Sequence, residues 1–323
     1  MNAPAPIDQL ITIFGGSGFL GRHVVRALCK RGYRIRVAVR RPELTGHLQP
    51  LGRVGQIHAV QANVRYPASV EAAVRDADVV INLVGILFEG GQQNFEAVQG
   101  QGAGTVAHAA ATHGAKLIHV SAIGADADSP SAYARTKAEA ERLVFAAVRD
   151  AVIVRPSIVF GPEDDFFNKF GAMARLSPAL PLIGGGHTRF QPVFTGDVAT
   201  AIADAVDGKV HGGTVYELGG PEVRTFKELM EFVLATTERR RLLIPLPFGL
   251  ARAMGSIFQL LPKPMLTRDQ VELLRSDNVV SEAALGEGRT LQGLGINPVS
   301  IETIVPSYLW RFRRAGQFRD HLA

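Results

Sequence analysis

The chain opens with a regular exchange of apolar runs and amphipathic stretches. Residues 10–14 (LITIF) form a continuous apolar, β-branched run ending in glycines, the pattern of a strand buried on both faces. Over residues 18–31, Leu20, Val24, Val25 and Leu28 recur at helical spacing and Gly32 closes the segment. The same reading predicts strands at 34–39 (RIRVAV), 57–60, 78–84 (DVVINLV), 116–121 (KLIHVS) and 152–160 (VIVRPSIVF). Between them it predicts helices at 70–75, 98–113 and 133–149. Strands separated by single helices imply parallel pairing with right-handed crossovers, so the expected class is α/β with a doubly wound parallel sheet.

The rhythm changes after Gly161. The run Gly184-Gly185-Gly186 and the prolines Pro178, Pro181 and Pro192 read as loops. Residues 197–206 and 214–218 read as one more helix and strand rejoining the sheet; 226–237 and 267–275 read as helices around a Pro/Gly-rich stretch at 244–264. The expected organisation is a nucleotide domain over 8–160 with returning segments near 190–220, and a smaller C-terminal substrate or partner lobe from 161–189 and 221–323.

Composition narrows the classes. With 323 residues, 46% of them hydrophobic and 20% charged, the chain has ample core material and is not a disordered sequence. One cysteine, Cys29, excludes a disulfide framework and a Cys-rich zinc site, and it suits a reducing cytoplasm. His108 and His113 lack metal-ligand spacing, so no metal is expected. The acidic run Glu163-Asp164-Asp165 reads as a solvated loop or one facing the second lobe. The net charge of +5 carries a strong arginine bias, 28 Arg against seven Lys. Such an excess suits an anionic partner, but without a dense basic stripe or interleaved aromatics nucleic acid is not expected.

Residues 1–8 (MNAPAPID) have no basic n-region and no apolar stretch, so no signal peptide is expected. Residues 242–261 (LLIPLPFGLARAMGSIFQLL) are interrupted by Pro245, Pro247 and Arg252 and do not read as a membrane span. They read either as a buried or capping helix, or as an amphipathic surface on a membrane or partner, the latter favoured by Arg239-Arg240-Arg241 just before them. A second arginine-rich stretch, 311–319, has no assigned role beyond docking to a larger complex.

The chemistry concentrates in two motifs. The first joins the first strand to the first helix: Gly15, Gly16, Ser17, Gly18, Phe19, Leu20 and Gly21 satisfy both G-x-x-G-x-x-G and G-x-G-x-x-G. Glycine supplies an unusual turn, close backbone approach to a pyrophosphate, and tight helix-on-strand packing; the helix N-terminus supplies N–H groups and partial positive charge. This is the setting of a Rossmann fold. At the end of the second strand, where a carboxylate would bind the ribose 2′-hydroxyl of NAD, the chain has Arg40 and Arg41. An arginine pair suits a 2′-phosphate, so NADPH (NADP+) is the expected cofactor; the other reading is a pair of solvated strand-end charges. The second motif is Tyr133-x-x-x-Lys137, two side chains on one helical face in which the ammonium favours the phenolate.

Taken together, these motifs resemble the extended or atypical short-chain dehydrogenases/reductases. Asn63 and Val64 fall where that family borders the adenine, Leu83, Val84 and Gly85 where it flanks the cofactor, and Pro156, Ser157 and Ile158 beside the nicotinamide. Phe190 to Val193 and Asp197 resemble its later segment returning to the sheet. Ser121 would polarise a substrate carbonyl or hydroxyl, with Ser129 and Ser131 ranked lower; Ser121-Ala122-Ile123 departs from the usual Ser–Ser or Ser–Thr pair, and Gln99 and Gln101 stand where an Asn is common. Longer stretches, including residues 15–22, 40–42, 119–125 and 156–164, resemble bacterial homologues of the NAD(P)H-binding alpha-subcomplex subunit 9 of respiratory complex I. That resemblance implies a structural NADPH, other complex I subunits and the membrane surface as partners, and a cytoplasmic protein held peripherally on the cytoplasmic face of the inner membrane. The intact Tyr133 and Lys137 leave a second expectation open: a soluble NADPH-dependent reductase, epimerase or dehydratase acting on a sugar nucleotide, quinone or similar substrate.

Overall fold

The computed structural model describes residues 5–262, 264–314 and 316. The chain divides into two units, one running up to Arg155 and taking in Val198–Glu217, the other comprising Pro156–Asp197 and the chain from Leu218 onward.

The first unit is organised by seven strands: β1 (Leu10–Phe14), β2 (Arg34–Val39), β3 (Ile57–Gln61), β4 (Val79–Asn82), β5 (Lys116–Val120), β6 (Val152–Pro156) and β11 (Thr214–Leu218), in the spatial order β11-β6-β5-β4-β1-β2-β3. The registers of β1 with β2 and β4, of β2 with β3, and of β5 with β4 and β6 are parallel. The connecting helices are α1 (Phe19–Lys30), α2 (Pro67–Val74), α3 (Gln101–Thr112), α4 (Ala132–Ala147) and α6 (Thr195–Val206). Helices on both faces explain why Ile11, Ile13, Ile81 and Ile153 are fully buried and why these strands read as continuous apolar runs. This is the doubly wound Rossmann fold. The chain winds outward from β1 to β3 and then returns beside β1 as β4, so a crevice opens where the order reverses.

The second unit has short strands and its own core. α5 (Phe166–Leu176), α7 (Phe226–Thr236) and the last turns pack Phe160, Phe167, Leu180, Phe226, Met230 and Leu309 together. Two-stranded pairs join β7 (Val159–Phe160) to β10 (Val193–Phe194), β9 (Arg189–Phe190) to β12 (Arg224–Thr225), and β8 (Ala179–Ile183) to β13 (Leu242–Leu246). The remaining helices of note are α8 (Phe248–Phe258) and α9 (Arg268–Leu273).

Four expectations are corrected here. Residues 152–160 are two strands and not one: Pro156 cannot donate to a ladder, and Ser157 N–H turns to Leu218 O at 2.9 Å. The proline-rich stretch read as loop contains β8, because a two-stranded pair leaves each strand one edge on which a proline costs no hydrogen bond. α8 is not a buried helix; it buries Ala251 and Gly255 while Leu250 and Ile257 stay 55% and 66% exposed. Asp164 is not solvated. It is 2% exposed and accepts from the Tyr308 hydroxyl and from the backbone N–H groups of Gly161 and Asn168. Among the described residues no helix is long and apolar enough to cross a membrane. Of the arginine-rich stretch 311–319, residues 315 and 317–319 lie outside the described residues.

Candidate nucleotide site

The turn between β1 and α1 fixes its glycines for physical reasons. Gly15 has φ +78°, a left-handed conformation that costs other residues about 1–2 kcal/mol, and a Cβ there would lie 3.3 Å from the Leu83 carbonyl carbon. A Cβ on Gly21 would lie 2.3 Å from Gly15 O, so α1 sits on the loop at a distance only glycine permits. No side chain caps α1 at Gly18. Its first-turn N–H groups therefore remain available, at the positive end of the helix, for an anion.

This turn forms one wall of a cavity of about 280 Å³. Of the residues singled out in the sequence, Gly15, Ser17, Gly18, Arg40, Asn63, Val64, Leu83, Val84 and Gly85 line it. Gly16, Phe19, Leu20 and Gly21 are not among the lining residues and instead shape the loop and helix start. Arg41 is not among them either; it precedes the helical turn Pro42–Leu44. The lining contains no carboxylate. It does contain a second cation, Arg65, which the motif reading missed. Asn63 Oδ1 accepts from the Arg65 N–H at 3.1 Å and so sets the chain direction there. Arg40 donates to Gln93 Oε1 and Arg65 donates to Gln92 O at 3.0 Å, so neighbouring residues of one loop hold both guanidinium groups. Uncapped N–H groups, two cations and the apolar walls Ala38, Ala62 and Val98 make a lining that fits a dinucleotide.

The Tyr–Lys pair lies on α4. Ser131 Oγ caps that helix by accepting from Ala134 N–H at 3.2 Å, and Ser129 Oγ accepts from Ser131 N–H, so both hydroxyls are engaged in the turn. Lys137 Nζ stands 5.8 Å from the Tyr133 ring centroid, and Phe95 meets that ring edge-on. Lys137 is buried and donates to Val120 O at 3.1 Å. Burial pulls its pKa down to about 8, with Glu141 acting in the opposite direction. His119, also buried, is pushed down to about 3 by burial and then by Lys137, which leaves it neutral at pH 7. Ser121 Oγ and His119 Nε2 are buried without a hydrogen-bond partner among the described residues. A Cβ on Gly85 would lie 3.5 Å from Lys137 Nζ, yet neither Tyr133 nor Lys137 is among the cavity's lining residues.

Other residues hold this arrangement. Gln99 is buried in a π turn, Glu96–Gly100, and donates to Thr136 Oγ1 at 3.0 Å, whereas Gln101 is exposed. Arg155 makes a two-pronged contact with Glu141, at 2.8 and 2.6 Å, joining β6 to α4. Pro156, Ser157 and Ile158 belong to the second unit and are not among the cavity's lining residues. The Ser157 hydroxyl is engaged with Asn278, 2.9 Å from its O and 2.7 Å from its Oδ1. His113 Nε2 lies 2.6 Å from Glu71 Oε1, and among the described residues no group of three His, Cys, Asp or Glu side chains is arranged to hold a metal ion.

The model of the NAD dependent epimerase/dehydratase family matches residues 11–219, a span that contains both motifs and the whole cavity. The chain belongs to that family. As an epimerase/dehydratase family member it is 37% identical, over 94% of its own length and 78% of the other, to the NADH dehydrogenase (ubiquinone) 1 alpha subcomplex subunit 9, mitochondrial, of Arabidopsis thaliana. It is 34% identical to the protein of the same name from Rattus norvegicus, over 90% of this chain and 77% of that one. Among solved structures, the NADPH-dependent quinone oxidoreductase QOR2 of Escherichia coli superposes with a TM-score of 0.71 at 22% identity, over 93% of this chain and 99% of that one, which shows the shared fold.

Proposed function

We propose that this family member is an NADPH-binding accessory or assembly subunit of respiratory complex I whose nucleotide is structural. The observation that carries the reading is the 37% identity over 94% of the chain to a protein named as a subunit of that complex. In this reading the protein is cytoplasmic and held peripherally at the cytoplasmic face of the inner membrane. Arg40 and Arg65, with no carboxylate in the cavity lining, support a 2′-phosphate and hence NADPH over NADH. Gly15, Ser17 and Gly18 would hold the pyrophosphate, Asn63 and Val64 the adenine side, and Leu83, Val84 and Gly85 the middle of the cofactor. The test is native electrophoresis of a mild-detergent membrane extract. Co-migration with NADH dehydrogenase activity, and a nucleotide of NADPH mass that stays bound and reduced, are the expected results. A species running free of the complex overturns the assignment.

A second reading rests on the unpartnered, buried Ser121 Oγ near the end of β5, where Lys137 is anchored. There the chain is a reductase, epimerase or dehydratase. Hydride chemistry would come from a bound nicotinamide; Ser121 would orient a substrate oxygen, and Tyr133 would exchange a proton at its hydroxyl with the Lys137 ammonium favouring the phenolate. A Tyr133→Phe variant with unchanged turnover of a quinone or sugar-nucleotide substrate removes this reading.

A further inference from the structure

Two arginine-rich stretches far apart in sequence meet in the second unit. Arg239, Arg240 and Arg241 follow α7, Arg313 and Arg314 follow the last helical turn, and together with Glu238 and Gly316 they line a basin of about 400 Å³. Three of the guanidinium groups are fixed in place through Nε. Arg239 donates to Phe312 O at 2.7 Å, Arg241 to Ala174 O at 2.8 Å and Arg313 to Thr236 O at 2.9 Å. A guanidinium held this way keeps its terminal nitrogens, a planar pair of donors, in a set direction. The lining holds five guanidinium groups against one carboxylate, Glu238, which lies 3.5 Å from Arg313 Nη1. Like charges gathered by packing repel: Arg239 is pushed below the usual guanidinium range by burial and by Arg241, Arg314 and Arg175. Folding alone gains nothing from such an arrangement, whereas an anion would relieve it.

We propose that this basin binds a ligand carrying two or more phosphates. Each phosphate accepts paired N–H donors from a guanidinium plane, and one phosphate, at about −1.5 to −2 charge, would leave the lining strongly positive. The volume suits a small anion. The phosphates belong either to a soluble polyphosphate or to a diphosphate lipid headgroup. The lipid source draws on β13, which starts at the residue after Arg241 with Leu242 and Ile244 69% and 50% exposed. Because every lining residue lies in the second unit and the nucleotide cavity lies in the first, the two sites fail or stand independently.

The experiment titrates the full chain with sodium tripolyphosphate by calorimetry, with orthophosphate as comparison. It also sediments the chain with phosphatidylcholine vesicles containing cardiolipin, or phosphatidylserine at equal charge. Tripolyphosphate is expected to bind at least about tenfold more tightly than orthophosphate. The double variant Arg240→Gln, Arg314→Gln removes the two lining cations other than the three anchored through Nε, and is expected to lose about tenfold or more while retaining its nucleotide. Sedimentation with cardiolipin above phosphatidylserine, reversed by tripolyphosphate, assigns a bilayer source; tripolyphosphate binding without it assigns a soluble one. A double variant that binds tripolyphosphate as tightly as the unaltered chain, or equal affinity for tripolyphosphate and orthophosphate, overturns the proposal. Arg239→Gln and Arg313→Gln, read by the same titration with folding checked by circular dichroism, extend the test to the anchored side chains.

Discussion

Lys137 Nζ donates to the carbonyl oxygen of Val120 at 3.1 Å, which holds a buried ammonium at the carboxyl end of β5, next to Ser121. Its pKa of about 8 lies below its ordinary value of 10.5. Between those values the unfolded chain keeps a proton that the folded chain releases, so this group makes stability rise with pH across that window. Below pH 8 the full cost of burying the charge is present. Lys137→Met removes it, so the urea-unfolding free energy of the unaltered, nucleotide-free chain should gain on the variant by up to about 3 kcal/mol between pH 7 and pH 10. An identical gap at both pH values would contradict the assigned shift.

Glu141, one turn beyond Lys137, pairs with Arg155 at 2.8 and 2.6 Å where both side chains are largely covered. Removing Glu141 leaves Arg155 with only Glu217, at 3.5 Å, as its ion-pair partner among the described residues, so Glu141→Gln should cost about 1–3 kcal/mol in denaturant unfolding. The double variant Glu141→Gln, Arg155→Met should regain part of that. A single-variant loss below about 1 kcal/mol would mean solvent already screens the pair.

The loop glycines differ in kind from glycines in open space. Gly21→Ala forces a methyl to within 2.3 Å of Gly15 O, and it is expected to lose nucleotide and about 1–3 kcal/mol of stability. Gly46→Ala, with nothing within 4 Å of its added methyl, should leave nucleotide retention unchanged. The check is nucleotide content by mass after gel filtration, with thermal unfolding alongside; nucleotide loss in both variants would remove the steric explanation.

Arg40 and Arg65 line the same cavity, and Arg41 does not. Arg40→Ala and Arg65→Ala should each weaken NADPH by about tenfold or more while changing NADH little, and Arg41→Ala should do less. Fluorescence titration of the reduced nucleotides measures this. Equal losses for NADPH and NADH would sink the 2′-phosphate assignment.

The first unit was legible where local physics and tertiary environment agree. Residues 10–14 and 34–39 are strands with the limits the sequence pattern marks, because a strand covered on both faces needs mostly apolar side chains; Arg34 and Arg36 fall at the exposed and half-buried positions of the second. Agreement fails where a backbone group finds a distant partner. Ser157 N–H bonds Leu218 O and its hydroxyl bonds Asn278, so an apolar run with one proline becomes two strands. Asp164 reads as a carboxylate that is solvated or faces the second lobe; three donors, one of them the hydroxyl of Tyr308, make its burial tolerable.

By itself the sequence determined the Gly15–Gly21 turn, the Tyr133–Lys137 spacing and the doubly wound parallel class, since each depends on neighbours within one turn or one βαβ unit. Tertiary structure alone decided which charges share a space. It set Arg65 beside Arg40, Glu141 against Arg155, and Arg313 and Arg314 beside Arg239 to Arg241. Electrostatic interaction depends on distance through folded space and on desolvation, and neither is written in the separation of residues along a chain.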